Sequence, residues 1–417
     1  MTSSSSSTAG AIPVFYSAIH QDRDAEFRRS APPKRIIKEG RKETVMGCTN
    51  CGRLDGEGVT LKKCTGCTLV CYCSKECQKE NWPHHKIHCS SSLGAGIQPL
   101  IKSITGNPML SHYIQICLSL QFHLHTLPLL SPTKRTSLLR APLFAHINVG
   151  IEPTQITDFM NLYTFTESKE WDKDREEMEM EMDGMMQLHT LVSPWPGMPE
   201  RVPTQTNLEI WKHARKAADE DDAKDRAVVL VQFVNDFKQA ITCPIVVGED
   251  AVDSAMRAEP FTMCSALTGK QTKKPLTVAT CFEYINTHIR SDKKDRLCLR
   301  APMRGVDKDL IRNAGRDIQL HAPQALRVKM QREHVYISHP ISVFSDSNTN
   351  TNTNRAHAPA PAHAPAPERE AGPVLAEDRQ IEGNPELPQA GHEPPKMNRA
   401  ERRRLQRELQ KEQKRRK

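Results

Sequence analysis

The chain has 417 residues, enough for roughly two or three domains, yet only 37% are hydrophobic and 5% aromatic, so not every segment can build a core. The net charge of +8 is matched by residues 396–417 alone, where 11 Lys/Arg face three Glu, which leaves residues 1–395 balanced. A broad nucleic-acid surface on the folded part is therefore not implied by the charge.

Residues 1–45 read as a disordered N-terminal segment, with the serine run Ser3–Ser7 and then mixed charge around Pro32-Pro33. The short basic run Lys34–Lys42 is the feature that favours a nuclear over a cytoplasmic location. The start is Ser/Thr-rich rather than basic then apolar, so an export signal is not expected and an intracellular, reducing setting is.

Residues 46–90 hold eight of the 13 cysteines. Cys48-x2-Cys51 is followed by Cys64-x2-Cys67, Cys73-x3-Cys77 and His85-x3-Cys89. Two Cys-x2-Cys knuckles each hold a pair of sulfurs near one metal through a tight turn, and each x3 spacing puts two ligands on one face of a helical turn. Eight ligands are enough for two tetrahedral Zn²⁺ ions with no coordination position left for water, which makes the zinc structural rather than catalytic. Cys71 is a ninth candidate and is expected to be an apolar filler; His84 and His88 are expected to face solvent.

This segment resembles the MYND-type zinc finger over Cys48–Cys89, including Cys64-Thr65-Gly66-Cys67, Tyr72-Cys73-Ser74-Lys75-Glu76-Cys77-Gln78 and Trp82. The resemblance implies interleaved sites, with Cys48, Cys51, Cys73 and Cys77 on one ion and Cys64, Cys67, His85 and Cys89 on the other. Spacing alone also permits sequential sites. The resemblance further implies docking of short Pro-rich peptides beside the strand Thr68–Val70, through Thr65, Gln78 and Trp82. An extended peptide can add to a strand edge while an exposed tryptophan stacks on proline rings.

Residues 98–345 read as an α+β, helix-dominated domain. The segment 108–130 reads as a buried amphipathic helix, with apolar spacing at Leu110, Ile114, Cys117 and Leu118; it carries too many His and Gln to cross a membrane. A second helix is marked by Val278, Phe282, Ile285 and Ile289, and a third runs from Asn207, a candidate cap, to Ala218. Strands are expected at Leu143–Ile151, Val228–Val234 and Ile241–Val247. The acidic, Met-rich stretch Glu176–Met186 reads as an exposed insert. The body also resembles, more loosely, MYND-finger proteins of filamentous and mushroom-forming fungi, through Asn107-Pro108-Met109-Leu110, Val149-Gly150-Ile151-Glu152-Pro153, Ala258-Glu259-Pro260-Phe261 and Tyr284-Ile285-Asn286-Thr287-His288-Ile289-Arg290.

Residues 346–395 are a low-complexity linker of Asn/Thr alternation and Ala-Pro repeats, too poor in apolar surface to fold. Residues 396–417 form an expected basic helical tail, suited to nonspecific contact with RNA or acidic proteins.

These features point to a non-enzymatic, zinc-binding interaction adaptor or transcription-type regulator that docks Pro-rich proteins through its finger. The alternative is an enzyme whose site lies in 98–345. A SET-type methyltransferase is disfavoured because its Asn-His-Ser-Cys motif and downstream cysteine cluster are absent, and no phosphate loop, zincin helix or nucleophile elbow occurs.

Overall fold

The computed structural model describes residues 19–56, 58–67, 70–86, 89, 96–164, 182–193, 203–235, 239–265 and 268–336. The segment 1–18, the linker 346–395 and the basic tail 396–417 lie outside the described residues.

The body is helix-rich and built on one five-stranded sheet, so the expected mixture of helices and strands is present. The strands are β3 (Leu143–Pro153), β4 (Asp183–Val192), β5 (Val228–Asn235), β6 (Gln239–Val246) and β9 (Arg300–Pro302), in the order β6-β5-β3-β4-β9. β3 and β5 run parallel and the other pairs antiparallel. β5 reads as an apolar run, interrupted only by Gln232 before its terminal Asn235, because both its faces are covered. Val229, Val231 and Phe233 enter the main core, while Val228 and Leu230 pack under α8 (Gln205–Glu220), whose Trp211 indole N–H donates to the Val228 carbonyl at 2.9 Å.

The central helix α5 (Pro108–Gln121) starts with Asn107, whose side-chain oxygen accepts from the N–H groups of Met109 and Leu110, and with Pro108 at its first position. It packs against α10 (Val278–Arg290), which a Thr277/Thr280 capping box opens. The expected helix over 108–130 ends at Gln121. His123 then adopts a left-handed conformation, and a 3-10 turn follows at Leu124–Leu129. The cap of α8 is Thr204, not Asn207: the Thr204 hydroxyl accepts from the Asn207 N–H at 3.2 Å.

Two further expectations are corrected. Residues 19–45 are not disordered: they form α1 (Gln21–Ser30) and α2 (Lys34–Glu43), both seated on the body. Their sparse anchors are a buried arginine and two apolar side chains. Arg23 donates through Nε to Ser291 Oγ (2.8 Å) and through a terminal nitrogen to His288 Nδ1 (3.1 Å), and Phe27 packs on the His288 ring. Ile37 is fully buried, and the Gly40 backbone abuts that of Gly106 so closely that a Cβ on Gly40 would meet the Gly106 carbonyl oxygen at 2.3 Å. The end of the Met-rich stretch is not exposed either. Met185 and Met186 lie in β4, are buried, and pair with Glu152 and Ile151 of β3; residues 176–181 lie outside the described set.

Beside β3 and β4 lies an ionic cluster that sequence reasoning missed. Glu152 receives hydrogen bonds from His189 Nε2 (3.0 Å), Arg290 (2.7 Å), Lys329 Nζ (2.9 Å) and the Tyr336 hydroxyl (2.8 Å). Lys329 also pairs with Glu333 at 3.2 Å, and Asn286 donates to Glu333 at 2.6 Å. Lys329 and Glu333 lie on and just beyond α12 (His321–Arg332). Burial alone would raise the Glu152 pKa; Lys329, His189 and Arg290 outweigh it and hold the carboxyl well below the usual range. Burial keeps His189 neutral, so its Nε2 carries the proton that Glu152 accepts.

Among the described residues no helix is long and apolar enough to cross a membrane.

Candidate metal centre

The finger is built from two turns, a short strand pair and one helix. The first turn is closed by the Gly52 N–H donating to the Cys48 carbonyl at 2.9 Å, with Gly52 at φ +76°. Gly66 sits between Cys64 and Cys67, where a Cβ would stand 2.9 Å from the Cys89 sulfur. β1 (Lys62–Lys63) pairs antiparallel with β2 (Cys71–Tyr72), and the Cys64 N–H extends the ladder to the Val70 carbonyl. Ser74 caps α3 (Lys75–His85) by accepting from the Cys77 N–H at 3.2 Å. This cap fixes Cys73 and Cys77 at the helix start, and the helix carries His85 at its end.

These elements bring the eight ligands together in two fours: Cys48, Cys51, Cys73 and Cys77, and Cys64, Cys67, His85 and Cys89. Within each group all ligand atoms lie within 4.8 Å of one another. The sites are interleaved rather than sequential. Cys73 Sγ is 3.5 Å from both Cys51 Sγ and Cys77 Sγ; Cys64 Sγ is 3.8 Å from Cys89 Sγ, and Cys67 Sγ is 3.4 Å from His85 Nε2. With Zn–S bonds of about 2.3 Å, the edge of a tetrahedral site measures about 3.8 Å. The donor sets therefore fit two Zn²⁺ ions, and soft thiolates with one imidazole suit zinc over hard cations. Each set supplies four protein ligands, so both spheres are closed and the metal's contribution is to folding.

Cys71 is in neither group. It is buried, its Sγ accepts from the Gln98 amide at 3.4 Å, and burial pushes its thiol up, so it stays a neutral filler. His84 is exposed, while His88 lies outside the described residues.

Of the three expected peptide contacts, Trp82 is 44% exposed and its ring lies edge-on to that of His85, at 5.9 Å between centroids. Gln78 is one turn before it on the same face of α3. The Gln78 amide reaches the Cys64 sulfur at 3.9 Å, beside the exposed Thr65. Gln78 and Trp82 thus share one face of α3, and Gln78 reaches the residue next to Thr65. In the strand expected to receive a peptide, Thr68 and Leu69 lie outside the described residues.

The finger does not hang free of the body. Leu54 packs with Ile210, Trp211 and Ala214 of α8, a Cβ on Gly52 would meet Glu209 Cβ at 2.9 Å, and Thr206 donates to the Asn50 carbonyl at 3.3 Å.

Two family models match the chain: the MYND finger over residues 48–89 and the Domain of unknown function (DUF8205) over residues 95–336. Protein CBFA2T2 of Xenopus laevis is 32% identical over 76 residues, 18% of this chain and 12% of the relative. SET domain and MYND-type zinc finger protein 6 of Schizosaccharomyces pombe is 42% identical over 54 residues, 13% of this chain and 11% of the relative. N-lysine methyltransferase SMYD2 of Homo sapiens is 57% identical over 36 residues, 9% of this chain and 8% of the relative. The chain thus spans about a tenth of the length of the curated relatives it matches. No solved structure matches.

Proposed function

The chain belongs to the DUF8205 family and carries a MYND finger, and from that premise we propose that it is a zinc-dependent adaptor, of the kind that serves transcription-type regulators, in which the finger docks Pro-rich segments of partner proteins. The MYND finger is a protein-interaction module, and both of its metal sites are closed. Its role is then to present a surface. The observation that carries the reading is the exposed Trp82 on the α3 face that also bears Gln78, which reaches the Cys64 sulfur next to Thr65. An indole in that position offers a flat face to proline rings, while Gln78 and Thr65 offer polar groups to an extended backbone. In this reading the protein works inside the cell, with the nucleus favoured, and the body is the scaffold that holds the finger.

The body is taken as non-enzymatic in this proposal. The residues best equipped for acid–base chemistry, Glu152, His189 and Lys329, are all buried and engaged with one another. Resemblance to a protein named as an N-lysine methyltransferase is confined to a stretch of 36 residues, so that activity is not carried over.

The test is titration of the zinc-loaded full chain with fluorescent Ala-Pro and Pro-Xaa-Pro peptides, read by anisotropy. Binding by the wild type that Trp82→Ala reduces about tenfold or more, with the urea midpoint unchanged, supports the proposal. Equal binding by wild type and variant overturns the assignment of the docking surface.

A further inference from the structure

A groove of about 610 Å³ runs between α2, the turn joining α4 (Gln98–Thr105) to α5, and β6. The finger reading makes no use of it. Its wall includes Cys243, Pro244, Ile245 and Val246 in succession, so the groove follows the strand along its outer edge. Among the described residues β6 ends the sheet and pairs only with β5. The Val247 N–H donates to the Ala227 carbonyl at 2.9 Å, which turns the odd-numbered positions toward β5 and leaves Thr242, Pro244 and Val246 presenting their backbone outward. Pro244 has no N–H, so its missing donor falls on the open edge, where it blunts uncontrolled strand pairing but leaves a carbonyl acceptor.

The polar lining is one-sided. Helix α2 carries Lys34, Arg35, Lys38, Arg41 and Lys42, yet the residues it turns into the groove include Glu39 and Glu43, one helical turn apart. No Lys, Arg or His is among the described lining residues. Arg35, 81% exposed, approaches Glu39 only at 3.9 Å, a surface pair of little strength. Several side-chain donors of the wall are already engaged. Thr105 donates to the Ile101 carbonyl, Thr44 bonds to the Gly40 carbonyl and Thr105, and the Gln115 amide donates to Ser111 while its oxygen accepts from the Gly248 N–H. Among the side chains this leaves the two carboxylates for a guest, and along the strand edge the Pro244 carbonyl with the outward backbone groups of Val246. Apolar walls from Ile36, Val45 and Pro108 flank them.

We propose that this groove docks an extended peptide segment of a partner protein that carries lysine or arginine, laid along the β6 edge with its cationic side chains against Glu39 and Glu43. A guanidinium or ammonium group supplies donors only, which complements an acceptor-rich wall. The strand edge explains why the guest is a peptide: alternate residues of an added strand bond to the outward groups at Thr242 and Val246 while the intervening side chains meet α2. The site is separate from the finger surface at Trp82 and stands or falls without it.

The experiment uses zinc-loaded full chain and three fluorescent octapeptides that alternate Val with Arg, Gln or Glu. Anisotropy should show the Arg peptide binding at least about tenfold more tightly than the Gln peptide, and no binding of the Glu peptide. Glu39→Gln with Glu43→Gln should weaken the Arg peptide about tenfold. Trp82→Ala should leave it unchanged, as should Asp250→Asn with Asp253→Asn, which removes the same charge from another helix. Hydrogen exchange at 240–246 should slow when the Arg peptide is bound. The proposal is overturned if both double variants weaken binding equally, if argininamide competes as well as the peptide at equal concentration, or if exchange along β6 is unchanged at saturation.

Discussion

The ring of His189 on β4 occupies the space that any side chain at position 150 of β3 would need. A Cβ on Gly150 would stand 2.5 Å from both Cε1 and Nε2 of His189. The backbone of Gly150 is ordinary β-strand, so the requirement is for closeness, not for an unusual dihedral angle. It lets the imidazole lie over the strand and reach Glu152 two residues further on.

Gly150→Ala is therefore expected to destabilise the fold by about 1–3 kcal/mol, since the ring is buried and bonded and cannot move aside freely. Urea denaturation of the two proteins measures it. A variant as stable as the wild type would show that His189 has room the geometry denies.

Lys329, together with Arg290, makes Glu152 and Glu333 compatible in one buried cluster; its Nζ lies 2.9 and 3.2 Å from the two carboxylates. Lys329→Met keeps the stem volume and removes the charge. The expected cost is about 3–5 kcal/mol, because breaking a buried pair strands a charge. A double-mutant cycle with Glu152→Gln should show strong coupling, the pair of changes costing less than the sum of the two. Additive effects would mean the two side chains are not energetically linked.

That cluster shows what the sequence conceals. Eight metal ligands at fixed local spacing are legible because the chemistry dictates the spacing, and their pairing matched the resemblance. The strands β5 and β6 were legible because they are rich in β-branched residues, and β3 carries buried apolar residues in alternation at Ala145, Ile147, Val149 and Ile151. Glu152, His189, Arg290 and Lys329 come from four elements far apart in the chain, and a charged residue buried by partners has the same local signature as an exposed one. The only hint was that two of the quoted runs, Val149–Pro153 and Tyr284–Arg290, supply Gly150, Glu152, Asn286 and Arg290. Helices α1 and α2 were missed for a related reason: α1 is anchored by Arg23 and Phe27, and an arginine does not register as core.

The docking of α1 carries a pH dependence. His288 Nδ1 accepts from Arg23, and burial, with the Arg23 charge added, lowers its pKa to about 3. The unfolded chain takes up that proton near 6.5, so the folded state binds fewer protons across this window. Stability is full above pH 6.5 and is lost as pH falls toward 3. His189, also lowered by burial, acts in the same window, while Glu152, held low against its burial by its cationic partners, adds a loss in the same direction only as pH falls below its ordinary 4.5. The urea midpoint should therefore drop between pH 7 and pH 5, and His288→Gln, which retains an acceptor for Arg23, should flatten that slope. A slope of unchanged steepness in the variant would assign the proton uptake elsewhere.

Zinc removal separates the finger from the body. The two donor sets predict two Zn²⁺ per chain by metal analysis, and one when Cys67→Ser opens the Cys64/Cys67/His85/Cys89 site. The finger's own core amounts to ligand cysteines around Tyr72, with little else to hold it, so a strong chelator should unfold it. The body has its own core across the five-stranded sheet and keeps it. The loss is still felt there, because Leu54 leaves the Ile210 and Trp211 face of α8 and exposes apolar surface. The expected outcome is a thermal transition of the body that survives chelation at a somewhat lower temperature, together with rapid hydrogen exchange confined to the finger and α8. Loss of the body's transition on chelation would mean that the finger is part of the same cooperative unit, and retention of both zinc ions by Cys67→Ser would refute the assignment of that ligand.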